Sequence, residues 1–119
     1  MKEPLEVYNA FDIVVVPFPF VDSNSTKKRP ALVLSKSESF NAQAQSSILA
    51  MITSSTKHPW PLDYAIANWK EAGLPIASIV RLKLFTLDHR LILHKLGRLT
   101  LSDQRGMQKI LKFCLPCFK

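Results

Sequence analysis

Three stretches of this sequence gather side chains able to handle phosphate. The first is Thr26-Lys27-Lys28-Arg29-Pro30. Three consecutive cations follow the polar, turn-rich run 22–26 and meet a proline. A residue before proline is biased to extended backbone, which fixes where the Arg29 guanidinium points. A planar fork of N–H donors held in this way suits a phosphate, above all the extra charge that gathers on a phosphorane during strand cleavage. A solvated basic turn is the alternative, because affinity for phosphate alone needs only charge. The second stretch is Ile52-Thr53-Ser54-Ser55-Thr56, hydroxyls at the end of an apolar run. They can donate to phosphate oxygens or orient a ribose 2′-OH, and they can equally cap a turn. The third is Ser78-Ile79-Val80-Arg81-Leu82-Lys83, where strict alternation puts Arg81 and Lys83 on one strand face as a polyanion platform or a plain solvent face.

The usual catalytic devices are missing from the sequence. It contains no G-x-S-x-G, Walker loop, H-E-x-x-H or calcium loop, and no carboxylate pair at a spacing suited to glycoside chemistry. Cys114 and Cys117 form one C-x-x-C, half of a structural zinc set, and His58, His89 and His94 have no companion spacing. Cys114 follows a predicted helix, at the end whose dipole opposes a thiolate, so both cysteines read as ordinary tail residues. No metal and no cofactor is expected; the chemistry rests on cations and hydroxyls.

The elements that must hold these groups are legible in outline. Asp12-Ile13-Val14-Val15-Val16-Pro17-Phe18 predicts a buried strand, its prolines marking an edge or bend. Residues 22–29 read as a basic loop and Pro30-Ala31-Leu32-Val33-Leu34-Ser35 as a second strand. Lys36–Ser47 reads as loop with room for a helical turn, and Ser47–Thr53 as a third strand. Asp63–Ile66 predicts a short strand, Lys70–Pro75 a turn, Ala77–Leu82 a strand, and Leu91–Leu99 contains another. Met107, Ile110, Leu111 and Cys114 recur at helical spacing, with Ser102 as the expected N-cap, Asp103 in the first turn and Pro116 as the stop. Short strands followed by one terminal helix predict an α+β, mainly β domain: a strongly bent sheet or partly open barrel with a helix packed on it.

Composition bounds the function. With 119 residues, 47% hydrophobic and 21% charged, the chain is read as one globular domain over 1–119, with a core of about 11–113 and a tail at 114–119. A large multi-domain enzyme and a Rossmann domain with a separate substrate domain are excluded. A small core of this kind gains stability by dimerising. The net charge of +7 is concentrated late: residues 61–119 carry ten basic and four acidic side chains, residues 1–60 six and five. A basic small domain attracts polyanions. The longest apolar run, Ile13–Val21, is broken by Pro17 and Pro19 and is far too short to span a bilayer. No targeting segment is read at the start, so a soluble cytoplasmic protein without membrane contact is expected.

Taken in order, Asp12–Phe20, Lys28-Arg29-Pro30-Ala31-Leu32-Val33-Leu34-Ser35, Ile52-Thr53-Ser54, Asp63 with Trp69, Gly73-Leu74, Ser78-Ile79-Val80-Arg81 and Leu96-Gly97-Arg98-Leu99 resemble the PemK/MazF family of toxin–antitoxin ribonucleases. The likeness runs over about residues 11–112. It implies a small SH3-like β-barrel of the CcdB/PemK/MazF kind with a C-terminal helix, acting as a homodimer. It implies a metal-independent, sequence-selective endoribonuclease on single-stranded RNA, typically mRNA. It also implies a cognate antitoxin whose disordered segment covers the RNA groove. By position, Arg29 resembles the family's active-site arginine, Thr53 its active-site threonine or serine, and Arg81 a basic residue near the scissile phosphate in some members. Lys27, Lys28, Ser54, Arg81 and Lys83 are the expected RNA contacts. Phe11 stands where the family usually has glycine. Residues 22–28 lack the histidine of some members, and Lys83 replaces an acid found in others two places after Arg81. A non-cutting nucleic-acid barrel and a CcdB-like gyrase poison are the competing readings.

Overall fold

The β-branched run near the start forms β1 (Asp12–Phe18). Ile13, Val14 and Val16 are wholly buried although they point to alternate faces, so both faces of β1 are covered. The computed structural model describes residues 7–18, 27–55 and 57–116. Around β1 lies a single antiparallel sheet in the order β4-β5-β3-β2-β1-β6. Its other strands are β2 (Lys27–Val33), β3 (Ser46–Thr53), β4 (Tyr64–Ala65), β5 (Ile79–Asp88) and β6 (His94–Arg98). A helical turn at Ser37–Asn41 runs into the short α1 (Ala42–Ala44), and α2 (Leu101–Cys114) closes the described fold.

The sheet is curled, and each face carries its own core. On one face Ile13, Leu32, Ala50, Ile52 and Val80 pack with Met107 and Leu111 of α2 and with Ile66, Ala72 and Leu74 of the segment before β5. On the other, Val14, Val16, Ala31, Val33 and Leu49 pack with Tyr8 and Ile92. Each such large side chain removed from water contributes about 1.5–3 kcal/mol before entropy is counted.

Four expectations change. The basic triplet is not in a loop: Lys27, Lys28 and Arg29 are strand residues, paired with Phe18, Pro17 and Val16 across β1. Residues 22–26 lie outside the described residues, as does Cys117. β5 runs six residues past its expected end, continuing through a bulge opposite Ala50 and Met51. Arg81 pairs with Met51 and Leu84 with Ala50, so Leu82 and Lys83 are extra. Finally, α2 is capped by Thr100, whose hydroxyl accepts from the Asp103 backbone N–H at 3.4 Å, and not by the exposed Ser102. The Asp103 carboxylate turns inward, and Met107 and Leu111 continue that buried face while Cys114 is exposed.

Phe11 has a φ of 73°, in the left-handed region that glycine enters freely and a bulky side chain enters at a cost. Its backbone is held on both sides: its N–H donates to the Val33 carbonyl at 2.7 Å, and its carbonyl accepts from Leu99 N–H at 3.0 Å. The glycine of the resembling family therefore corresponds to a real conformational demand at the entry to β1.

Candidate active site

Pairing between β2 and β3 runs from Val33–Leu49 to Ala31–Met51 and stops. The next residue on β2 is Pro30, which has no N–H to donate to a ladder. Beyond it β2 continues on β1 alone and β3 continues on β5 alone. The opening between them is a cleft of about 280 Å³. Lys28, Arg29 and Pro30 form one lip, and Ile52, Thr53 and Ser54 form the other. Had the β2–β3 register continued for two more residues, Arg29 would stand directly opposite Thr53. A guanidinium and a hydroxyl 24 positions apart thus share one opening.

Their chemistry is complementary. The Arg29 guanidinium has no hydrogen-bond or ion-pair partner among the described residues. Thr53 is 5% exposed, and its Oγ1 accepts from Ser55 N–H at 3.1 Å. That bond uses a lone pair and leaves the hydroxyl hydrogen to donate. Ser78, also on the cleft, donates its hydroxyl to the Ile76 carbonyl at 2.9 Å. Its oxygen is left as an acceptor, the reverse of Thr53. No residue lining the cleft carries a carboxylate or imidazole. Sequence reading gave Ser78 no role; its signal was only its place at the start of β5, opposite the end of β3.

The apolar wall comes from Leu74, Pro75, Ile76 and Leu96. Gly73 and Gly97 stand back to back behind it. A Cβ on Gly97 would overlap the Ala72 carbonyl oxygen, and one on Gly73, whose φ is 93°, would overlap that of Leu96. Only glycines let this segment lie against β6. Its other end is tied to α2 through Asp103, which is wholly buried. Asp103 accepts from Tyr64 Oη at 2.6 Å, Ala67 N–H at 3.0 Å and Asn68 N–H at 2.9 Å. Burial alone would raise the Asp103 pKa, but the bonds from Tyr64, Asn68, Ala67 and Thr100 outweigh it and hold the carboxyl below its ordinary value.

The other expected cations lie elsewhere. Lys27 is exposed and off the cleft lining. Arg81 is 8% exposed and gives a bidentate pair to Asp63, Nε–Oδ1 3.1 Å and Nη2–Oδ2 2.8 Å. The Arg81 bond lowers the Asp63 pKa, and the same bond raises that of Arg81. Lys83 lies over the Trp60 ring, its Nζ 4.6 Å from the centroid. Alternation holds, since Val80 and Leu82 pack in one core, but Arg81 is committed to Asp63 and Lys83 is the exposed cation of the two. His89 is buried, bonded to Ser47 Oγ at 2.8 Å, with Tyr8 edge-on to its ring; His94 is exposed. Among the described residues no group of three or more His, Cys, Asp or Glu could hold a metal ion. Among the same residues no helix is long and apolar enough to cross a membrane.

Residues 9–115 match the model of the PemK-like, MazF-like toxins of type II toxin–antitoxin systems. The chain belongs to this family. Solved structures agree on the fold. A MazE–MazF structure of Deinococcus radiodurans superposes with a TM-score of 0.70 at 19% identity, over 96% of this chain and 99% of that one. MazF of the same organism gives 0.70 at 23%, over 93% and 98%. A mycobacterial endoribonuclease in complex with its cognate antitoxin gives 0.70 at 14%, over 92% and 94%. No curated protein sequence matches. Among PemK/MazF-like toxins this chain thus keeps the mainly β, curled six-stranded sheet with a C-terminal helix.

Proposed function

We propose that this toxin is an endoribonuclease that cuts single-stranded RNA, typically mRNA, at selected sequences and without a metal ion. The observation that carries the reading is the cleft that both Arg29, without a partner among the described residues, and Thr53 line. RNA brings its own nucleophile, so the protein has to align the 2′-OH with the leaving 5′-oxygen and stabilise added negative charge. In this mechanism the 2′-oxygen bonds to phosphorus as the bond to the 5′-oxygen breaks. The products are a 2′,3′-cyclic phosphate and a 5′-hydroxyl. The 2′-OH loses its proton and the leaving oxygen gains one. Arg29 meets the charge on the phosphorane, and Thr53 donates to a phosphate oxygen. Ser78, with its free acceptor, orients the 2′-OH. Arg29 is not the proton shuttle, because a guanidinium stays charged in any working range. Lys27, Lys28 and Ser54 hold flanking phosphates and sugars, contacts that position the strand without reading it.

A cognate antitoxin restrains the enzyme by covering this cleft with a disordered segment; that similar folds are solved as a MazE–MazF structure and with a cognate antitoxin supports an antitoxin partner. The working form is a homodimer in the cytoplasm; exposed Leu84, Leu91 and Leu93 offer apolar surface for a second copy. The test is a defined long RNA incubated with purified protein in EDTA, with ends mapped and product termini identified. Cuts at a recurring motif with cyclic phosphate ends are expected from wild type and not from Arg29→Ala. Intact RNA together with inhibited gyrase would replace this reading with the gyrase poison.

A further inference from the structure

Outside the cleft, one exposed aromatic is held in place from several directions. Trp60 lies between Pro59 and Pro61 and is 43% exposed. Its N–H donates to Asp63 Oδ2 at 2.9 Å, and its carbonyl accepts from Asp63 N–H at 3.2 Å. Asp63 is fixed in turn by the bidentate pair with Arg81. The turn passes through Leu62 at a φ of 62°, a strained conformation that these bonds maintain. An exposed tryptophan needs no such anchoring to be merely tolerated.

The bulge in β5 supplies the second half. It leaves Lys83 without a paired residue on β3, and the Lys83 ammonium lies over the Trp60 ring. Lys83 is exposed and has no carboxylate partner among the described residues. The acid close by, Asp63, is already spent on Arg81. The surface therefore presents one indole and one uncompensated cation. That is the pairing a single-stranded nucleic acid uses: a base stacks on the ring while the adjoining phosphate meets the ammonium. An acidic peptide would engage the lysine but makes no comparable use of an exposed indole.

We propose that Trp60 and Lys83 form a second RNA subsite, a stacking platform for one unpaired base flanking the cut. The proposal rests on the nuclease reading above and adds to it a positioning site separate from the cleft. The geometry allows one strand to reach both. Thr53 pairs with Ile79 at the start of β5, and Lys83 is four residues on, at most about 13 Å along the strand. Trp60 follows the cleft residue Ser54 by six positions. Arg81 then acts through Asp63, holding the tryptophan's turn, and touches no RNA.

The experiment measures binding of RNA oligonucleotides made uncleavable by a 2′-deoxy substitution at the mapped cut. A long oligonucleotide and a short one that fills only the cleft are compared by fluorescence anisotropy. Trp60→Ala weakens the long one by about 5- to 150-fold, the range for losing one base–aromatic stack. Trp60→Phe, which keeps a ring, restores most of that loss. Lys83→Gln lowers the slope of log affinity against log salt by about 0.7, one single-strand phosphate contact. Phe113→Ala removes a more exposed aromatic, at 81%, and leaves binding unchanged. Equal affinity of Trp60→Ala and wild type for the long RNA overturns the subsite. So does a loss that Trp60→Phe shares in full, or one that appears only in antitoxin binding. A wild type that binds no RNA at all defeats the nuclease reading itself, a result distinct from each of these.

Discussion

Arg29 and Arg81 stand on strands separated only by β3, and they do opposite things. Arg81 is sunk to 8% exposure and locked on both oxygens of Asp63. Arg29 lines an open cleft with its guanidinium unclaimed by any described residue. Asp63 and Asp103 are likewise committed: Asp63 holds the Trp60 turn besides Arg81, and Asp103 holds Tyr64, Ala67 and Asn68. Among the described residues lining the cleft there is no acid. A buried ion pair fixes architecture, whereas a cation kept from its counter-ion retains its interaction energy for a ligand. The toxin has sorted its arginines between these uses, and each side of the comparison can be broken separately.

The largest effect is expected at the cleft. Arg29→Ala should lower the rate of RNA cleavage by about 10²–10³-fold, the size of losing one donor aimed at transition-state charge. Its thermal midpoint should stay near wild type, since no described partner is abandoned. Single-turnover cleavage and a melting curve on the same preparation check both. An Arg29→Ala protein that cuts at the wild-type rate would falsify the assignment.

Asp103→Ala should reverse that pattern. It strands the Tyr64 hydroxyl and two backbone N–H groups in a buried site, each costing about 1–3 kcal/mol. Unfolding by urea should show a loss of about 3 kcal/mol or more, with cleavage per folded molecule little changed. The next effect is smaller and sharper. If Arg81 serves only Asp63, then Arg81→Ala and Asp63→Ala should alter stability and cleavage alike, by about 1–3 kcal/mol in stability. The double variant should be no worse than Asp63→Ala alone, because Asp63→Ala already loses the ion pair together with the Trp60 N–H bond. An Arg81→Ala enzyme that cuts RNA far more slowly than Asp63→Ala would return Arg81 to the phosphate.

The same comparison marks what a sequence discloses. Arg29 before proline and Thr53 at the end of an apolar run were legible, because extended backbone and strand ends are local properties. Their meeting was not legible from spacing alone; it depends on where β2–β3 pairing stops, which is a matter of register. Arg81 was legible as a strand residue but not as the partner of Asp63, 18 positions earlier, an ion pair that forms only when the 60–63 turn folds back on β5. Asp103 read as a dipole-friendly residue in a first turn. Its actual partners, Tyr64, Ala67 and Asn68, lie 35 to 39 positions earlier and become visible only when α2 docks. The strands and terminal helix were recoverable because hydrophobic pattern is local, and the hubs were not because hydrogen bonds across elements are not.

The smallest expected effect concerns pH and isolates the architectural half. Burial, with the hydrogen bond and charge of Asp103 added, pushes the Tyr64 hydroxyl from 10.0 to about 12. The fold thus holds the Tyr64 proton more tightly than the unfolded chain does. That contribution to stability is complete below pH 10 and is lost as pH rises from 10 to about 12. Tyr64→Phe should lower stability at neutral pH by about 1 kcal/mol for the missing hydrogen bond, and flatten the decline above pH 10. The acid limb has the opposite sign. Asp63 is held low chiefly by Arg81, and Asp103 by bonds that overcome its burial, so their contribution fades as pH falls below 3.8. Urea midpoints across both limbs, in wild type and in Tyr64→Phe, separate the two. Loss of only the alkaline slope ties it to the Asp103 hub; a Tyr64→Phe protein that keeps that slope would place its source elsewhere and weaken the claim that this half of the molecule spends its acids on architecture.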